Sequence, residues 1–340
     1  MLFSAIRRLN TLLVIYSVPA ISSPIRIIKA YQPVDALRRD FGATRASGRD
    51  IGLIRVALLL FLLAGTLASA AQQLTGRVLA AASDQPVAFA TVGIKGKALG
   101  STANASGHFA FAVPAALPDV DSVIISCVGF RALRLTVGQL RRGEAAWRLL
   151  PQSQTLGEVQ VRHSQLRPAI LGRKEVGGLA YWTTNSRDTS ETVATDERGR
   201  ELATLLSVRK NCYLDTFRFH VQQNDFKAIR FRFKLYEMVD DRPGRQLLTD
   251  DIQFTLASQQ TGWISLYLHA YNIQLRKGQT VAVGFQWLHG ERLAPENGVF
   301  GGQAAFPSVG HRALVRKKSE ADWRIFPMNL SMYLAVQQHD

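Results

Sequence analysis

Large apolar side chains recur at every second position in many short runs from Leu74 onward. The clearest run is HFAFAVP at residues 108–114, where two phenylalanines and a valine alternate with smaller or polar residues. A period of two is typical of a strand with one buried face. Glycine, asparagine, serine and proline separate the runs, which favours a sandwich of strands over alternating strands and helices. The chain is therefore predicted to be all-β.

The polar stretch GSTANASG, which precedes this run, predicts a tight turn. Gly107 suits a position where the backbone needs a positive φ, and Asn104 suits a side chain that hydrogen-bonds its own turn. Residues 100–114 therefore predict a hairpin whose aromatic face closes a small core. No catalytic role is needed to explain the segment.

The second half of the chain continues the strand pattern, most clearly in AIRFRFKLY at residues 228–236. Its large apolar residues point one way, while Arg230, Arg232 and Lys234 point the other. This predicts a half-buried strand with a basic face. The stretch ELATLLSV at residues 201–208 fits either a short helix or a strand, and its pattern leaves both open.

The apolar run Val56–Leu67 has the features of a Sec-type export signal. Arg55 precedes it, and Ala68-Ser69-Ala70 after it matches a small-x-small cleavage pattern, so residues 1–71 are interpreted as a leader. The run is shorter than the roughly 20 apolar residues of a spanning helix, so no transmembrane span is expected in the mature chain. Because export signals seldom begin this far into a chain, residues 1–50 are expected to reflect a misassigned start.

The strand-rich region divides into two predicted domains. The first spans residues 74–161 and the second spans residues 174–337. Residues 162–173 between them show no hydrophobic period and are interpreted as a linker.

The formal net charge of +15 raises the question of nucleic acid as a partner. Residues 1–70 contribute +6 of it, and the remaining +9 is scattered over the rest of the chain. No recognised nucleic-acid-binding motif accompanies the charge, so nucleic acid is not expected as a partner.

The run GRVLAAASDQPVAFATVGIKGKALGSTANASGHFAFAVP at residues 76–114 resembles the carboxypeptidase-regulatory-like domain of bacterial envelope proteins. SCVGF and LGEVQV further along resemble later segments of that domain. The resemblance covers about a quarter of the chain and implies a transthyretin-like β-sandwich that serves as a non-catalytic accessory module. The matching positions are Gly76, Val78, Pro86, Val87, Ala90, Val92, Ile94, Gly96, Gly100, Gly107, Phe109 and Pro114.

The second half is similar to an uncharacterised jelly-roll-like domain found behind such modules. The segments that carry this similarity are FRFKLYEM, RPGRQLL, GWISLYLHAYNIQL and VAVGFQWL. The predicted fold class is thus two β-sandwiches, transthyretin-like and then jelly-roll-like, after an N-terminal signal segment.

Motifs for catalysis or metal binding are missing from the sequence. None of the seven histidines begins a zinc-peptidase motif, and no glycine-flanked serine or phosphate loop occurs. The doublets Asp240-Asp241 and Asp250-Asp251 are interpreted as loop residues, because neighbours on a strand point to opposite faces. Cys127 and Cys212 fit neither a metal site nor a disulfide framework. We therefore expect no catalytic residue, no cofactor and no metal.

Two sets of residues are candidates for ligand binding. Arg230, Arg232 and Lys234 could hold an anionic glycan or a phosphate, although a solvated sheet face would look the same in sequence. Four tryptophans could instead form a platform on which sugars stack, or lie in the core. They are Trp182, Trp263, Trp287 and Trp323.

These observations predict an exported, non-catalytic protein of the periplasm or outer cell envelope. Its role would be an interaction or ligand-binding module with an envelope protein or a glycan as partner. The alternative is a glycan- or peptide-processing enzyme whose site is assembled from distant residues. Converging carboxylates in a concave face would favour the enzyme, and exposed aromatic or basic side chains would favour binding.

Overall fold

A computed structural model describes residues 71–143, 146–152, 166–186, 193–194, 196–295 and 298–339. The predicted export signal and the LGEVQV segment lie outside these residues. The prediction of an all-β chain is confirmed, since strands dominate the described residues and the one α-helix among them is short. The chain divides into two compact units. The first comprises Gln72–Val113 and Leu117–Asp340 and contains both sandwiches, whereas Ala71 and residues 114–116 belong to the second. Within the part described, no helix has the length and apolarity needed to cross a membrane.

The first sandwich consists of two sheets with the strand orders β4-β1-β7 and β3-β2-β5-β6. Its core lies between them and includes Val78, Phe109, Ile125 and Trp147. Thr136 and Gln139 form a capping box at the start of the short helix α1, which ends at a left-handed Gly143. The elements are β1 (Ala71–Ala80), β2 (Thr91–Ile94), β3 (Gly100–Thr102), β4 (His108–Pro114), β5 (Ser122–Ser126), β6 (Leu133–Thr136), α1 (Val137–Arg142) and β7 (Trp147–Leu149).

The turn before β4 has the predicted chemistry. The Asn104 side-chain oxygen accepts hydrogen bonds from the backbone N–H groups of Ser106 and His108, at 2.9 and 3.0 Å. Gly107 has a φ of +78°, and a Cβ there would lie 2.5 Å from the Val78 carbonyl oxygen. In β4, exposed and buried residues alternate throughout, as the sequence predicts.

The strands of the second half are β8 (Leu166–Gly172), β9 (Ala180–Asn185), β10 (Glu201–Ser207), β11 (Cys212–Val221), β12 (Gln223–Asn224), β13 (Phe226–Val239), β14 (Arg242–Gln246), β15 (Gln253–Leu256), β16 (Gly262–Tyr267), β17 (Gln274–Leu275), β18 (Thr280–Arg292), β19 (Val299–Ala305), β20 (Ala313–Arg316), β21 (Arg324–Phe326), β22 (Asn329–Leu330) and β23 (Met332–His339). They form a β-sandwich built from a seven-stranded sheet, a five-stranded sheet and a four-stranded sheet. The seven-stranded sheet has the order β14-β13-β18-β10-β20-β21, with β15 also paired to β13. The five-stranded sheet has the order β16-β11-β23-β8, with β17 also paired to β11. The four-stranded sheet has the order β12-β19-β22, with β9 also paired to β19.

The core of this second sandwich is aromatic, with Phe217, Phe219, Phe231, Phe285 and Phe300 all buried. This half also contains a short 3-10 helix, His269–Tyr271.

The linker predicted over residues 162–173 is wrong for its second part. Strand β8 occupies residues 166–172 and pairs antiparallel with β23 along its whole length. Only Leu171 of this strand is buried, so its sequence shows no alternation that would reveal it. Pro168 is tolerated because β8 lies at the edge of its sheet, where an N–H on the outer side is not needed.

Candidate functional site

The three basic residues predicted to form an open face do share one side of β13, as alternation requires. That side is covered at two of the three positions: Arg232 is 1% exposed and Lys234 is 8% exposed. The first sandwich covers Arg232, which donates a hydrogen bond to the Phe89 carbonyl oxygen at 3.1 Å. Arg230 remains exposed, with its guanidinium carbon 5.0 Å from the centre of the Phe89 ring. The expectation of an open basic face is therefore wrong at Arg232 and Lys234.

Arg232 is the centre of a buried network that joins the two sandwiches. It forms an ion pair with Asp251 through Nε, and its Nη2 donates to the second carboxylate oxygen at 2.8 Å. Its Nη1 also donates to the Gln286 side-chain oxygen at 3.1 Å. Burial would raise the pKa of Asp251, but the hydrogen bond and charge of Arg232 lower it below its ordinary value. Asp251 thus serves as the counter-ion of Arg232, a role that its position in a doublet did not suggest.

Glu201 is the second buried anion of this network. Its carboxylate accepts hydrogen bonds from Arg316 Nη2 and from the Tyr236 hydroxyl, both at 2.7 Å. Burial would raise the pKa of Glu201, but the nearby charges of Arg316 and Lys234 lower it below its ordinary value. Gln286 Nε2 donates to Glu201 at 3.2 Å and to the Thr91 hydroxyl at 3.3 Å, which links this anion to the first sandwich.

Lys234 is also buried, and the Glu201 carboxylate is one of its charged neighbours. Its Nζ donates to the Gln246 side-chain oxygen at 2.9 Å. Burial lowers the pKa of Lys234 to about 8. The network is therefore a joint between the two sandwiches, and a ligand could reach Arg232 or Lys234 only by displacing these contacts.

The four tryptophans do not form one platform. Trp182 and Trp287 are buried in the aromatic core of the second sandwich. Trp323 packs over Arg316, whose guanidinium carbon lies 4.6 Å from the ring centre. Trp263 alone of the four lies on the outer face of the five-stranded sheet.

We call the outer surface around Trp263 the aromatic face and define it by Arg218, His220, Trp263, Tyr267 and Tyr333. These residues come from the adjacent strands β16, β11 and β23, and the register places His220 opposite Trp263 and Arg218 opposite Tyr333. Because Phe217, Phe219 and Val221 of β11 point into the core, Arg218 and His220 between them must point outward.

Arg218 lies between the two rings of the aromatic face. Its guanidinium carbon is 5.9 Å from the ring centres of both Trp263 and Tyr333, and its Nη1 donates to the Tyr333 hydroxyl at 3.0 Å. His220 meets Trp263 edge-on, with ring centres 5.5 Å apart. Tyr267, at the rim, is 68% exposed. The rings of Trp263 and Tyr333 therefore hold the guanidinium in place. Tyr333 itself is buried, so the open part of the surface lies at Tyr267 and the partly buried Trp263.

Two polar atoms of the aromatic face lack a hydrogen-bond partner within the described chain. They are Arg218 Nε and His220 Nδ1, both shielded from solvent. Burial lowers the pKa of His220, which favours the neutral imidazole at pH 7. The face thus combines aromatic surface with a guanidinium and an imidazole whose unpaired atoms lie just beneath that surface.

Alternation in LDTFRFHV would have placed Arg218 and His220 on the polar side of a strand. It could not have placed them beside Trp263 and Tyr333, which are 43 or more residues away in sequence. Sequence reasoning therefore missed this surface.

Groups that could do metal or thiol chemistry are scattered. The described residues contain no group of three or more potential metal ligands. Cys127 and Cys212 are free, and burial raises the pKa of Cys212 to about 11, which disfavours the thiolate. His289 and Glu291 both lie on β18, where Glu291 pairs with Lys227 at 2.9 Å.

Comparison with known proteins assigns the first sandwich to a family. The family model described as a CarboxypepD_reg-like domain matches residues 74–161, which confirms the resemblance read from residues 76–114. Residues 74–161 of this chain are therefore a CarboxypepD_reg-like domain. No curated protein matches the chain.

One solved structure with some similarity is the crystal structure of tripeptidyl peptidase 2 (TPP II). The match has 9% sequence identity and a TM-score of 0.21, and it covers 69% of this chain. It spans only 20% of the TPP II chain. A likeness this low carries no argument about fold or function.

Proposed function

We propose that this chain is an exported, non-catalytic binding protein of the cell envelope, and that its aromatic face binds a carbohydrate. The CarboxypepD_reg-like domain supports the broader part, a binding or regulatory module. The export-signal pattern at residues 51–72 supports a location in the periplasm or outer envelope. The observation that carries the carbohydrate part is Trp263 beside Arg218, with the exposed Tyr267 further along the same strand as Trp263.

The physical argument rests on the two kinds of surface that a sugar ring presents. Its C–H faces are apolar and pack against aromatic rings, while its hydroxyl groups need hydrogen-bond partners. Trp263 and the exposed Tyr267 supply the ring surface. Arg218 and His220 supply polar side chains beside these rings. Their unpaired atoms, Arg218 Nε and His220 Nδ1, are shielded from solvent, so a sugar hydroxyl would reach them only after a shift of the surrounding side chains.

Arg218 favours sugars that carry an acidic group. A guanidinium matches a carboxylate with two parallel hydrogen bonds, and Arg218 is already held in place by Tyr333, which reduces the entropy lost on binding. We therefore expect uronic-acid-containing glycans to bind more tightly than neutral glycans of the same length.

A glycan array with the purified chain, followed by calorimetry on the best ligand, tests the proposal. We expect Trp263→Ala to weaken binding by about tenfold or more, because it removes the largest ring of the face. Tyr271→Ala is the matched control, since Tyr271 is 40% exposed and lies outside the face. Binding that survives Trp263→Ala and Tyr267→Ala unchanged would place the glycan elsewhere, and an array without any hit would refute the carbohydrate proposal.

Two further measurements test the remaining parts. Turnover of a glycan or peptide by the purified protein would contradict the non-catalytic assignment and favour the alternative of an enzyme. N-terminal mass spectrometry of the secreted protein should find Ala71 or Gln72 first. A protein retained in the cytoplasm with residues 51–70 intact would contradict export.

A further inference from the structure

We propose that a groove on the first sandwich binds an extended acidic segment of a partner protein. This arginine groove is lined by Arg131, Ala132, Leu133, Arg134, Arg148 and Leu150. It is independent of the aromatic face, which lies on the second sandwich.

The groove forms where two strand edges separate. The Arg131 N–H donates to the Leu150 carbonyl at 2.8 Å, and the Gln152 N–H donates to the Gly129 carbonyl at 2.9 Å. Beyond these two bonds, β6 continues at the edge of one sheet and β7 at the edge of the other. The gap between them has a volume of about 360 Å³, which is room for several side chains of a partner.

The charge of the groove is unbalanced. Arg131 and Arg134 are exposed, and neither has a side-chain partner within the described residues. Arg148 pairs with Asp84 at 2.8 Å, but both side chains are more than half exposed, so water weakens this pair and a competing carboxylate could exchange with Asp84. Among the described residues, three guanidinium groups of the groove therefore have one paired carboxylate, Asp84, which makes this lining complementary to an acidic partner.

The same groove also exposes apolar surface and strand edges. Leu150 is 57% exposed and lies beside the half-buried Leu133. Among the described strands β6 pairs only with β5 and β7 only with β1, so no described strand covers the second edge of either. An extended peptide fits such edges and points alternate side chains to opposite faces. A segment that alternates acidic and apolar residues would satisfy both the arginines and Leu150.

Fluorescence anisotropy with the full chain and a short labelled peptide that alternates glutamate and valine tests this proposal. We expect Arg131→Glu/Arg134→Glu to weaken binding by about tenfold or more, because two attractive charges become repulsive. The matched control is Lys95→Glu/Lys210→Glu, which lowers the net charge equally at two exposed lysines outside the groove. Leu150→Asn, which keeps every charge, should weaken binding by about threefold through lost apolar contact.

Three results would overturn the proposal. Equal weakening by the control pair would mean that general charge attraction, and not the groove, holds the peptide. Unchanged affinity in both groove variants would mean that the peptide binds elsewhere. If a heparin fragment binds in a groove-dependent way while the peptide does not bind at all, the partner is a polyanionic glycan and the acidic-peptide proposal is wrong. Because Leu150→Asn leaves Arg131 and Arg134 in place, it tests the groove even if the double charge reversal does not fold.

Discussion

Removal of the Arg232 side chain should strongly destabilise the protein. Arg232 contacts Phe89 of the first sandwich, Asp251 of the second and Gln286 of the shared network. In Arg232→Ala, the Asp251 carboxylate loses its counter-ion, and the Phe89 carbonyl and the Gln286 side-chain oxygen lose their donor. The change therefore leaves unpaired polar groups in the joint between the two sandwiches.

The magnitude follows from the burial of each partner. Removal of one member of a fully buried ion pair costs about 3–5 kcal/mol, because the other charge stays uncompensated. Here Arg232 is fully buried, but the Asp251 side chain is 25% exposed, so water partly solvates the abandoned carboxylate. We therefore expect a loss near the lower limit, about 3 kcal/mol in the free energy of unfolding.

Urea denaturation followed by tryptophan fluorescence measures this loss. Arg230→Ala is the matched control, since Arg230 lies two residues away on the same face but is exposed. Its contact with the Phe89 ring should be worth only about 0.5–1 kcal/mol. A double-mutant cycle with Asp251→Ala should give a coupling energy of about 1–3 kcal/mol. If Arg232→Ala costs no more than Arg230→Ala, or if the cycle shows no coupling, the inference that Arg232 holds the joint is wrong.

Two further predictions concern a buried lysine and a turn. Because burial lowers the pKa of Lys234 from 10.5 to about 8, the unfolded chain binds more protons between these values, and stability contributed by this group rises with pH there. In urea denaturation, the free energy of unfolding of the wild type relative to Lys234→Met should rise by about 2 kcal/mol from about pH 8 to about pH 9.5. If this difference between the two proteins stays constant with pH, the proposed titration of Lys234 is wrong. Gly107→Ala should cost about 2 kcal/mol, since its Cβ would strike the Val78 carbonyl oxygen at a positive φ. Gly96→Ala has a similar φ but no atom within 4 Å of the new Cβ, so it should cost clearly less; equal losses in thermal unfolding would refute the steric argument.

Much of the fold could be predicted from local pattern. The period of two in HFAFAVP specified which side chains of β4 are buried, and the turn residues Asn104 and Gly107 have the roles that their chemistry suggests. The family of the first sandwich was also readable from residues 76–114. These features depend on residues close in sequence, so a local pattern contains the information.

Strand identity was decided by the tertiary structure in two places. ELATLLSV fits a helix or a strand by itself, and it becomes β10 because β18 and β20 pair with it on both sides. Strand β8 has almost no buried side chain, and its backbone hydrogen bonds to β23 make it a strand. In both cases the deciding partner lies far along the chain, where a local period carries no signal.

For the candidate sites, too, local sequence determined some features and tertiary packing decided the others. Alternation by itself determined that Arg230, Arg232 and Lys234 share one face of a strand, and the chemistry of each side chain is fixed by its residue type. Only the tertiary structure decided that the first sandwich covers Arg232, whose acceptor at Phe89 is 143 residues away. It also decided that Trp263 alone among the four tryptophans reaches an open sheet surface. The physical reason is that a period reports which residues face the same way, whereas what they face depends on how distant strands pack.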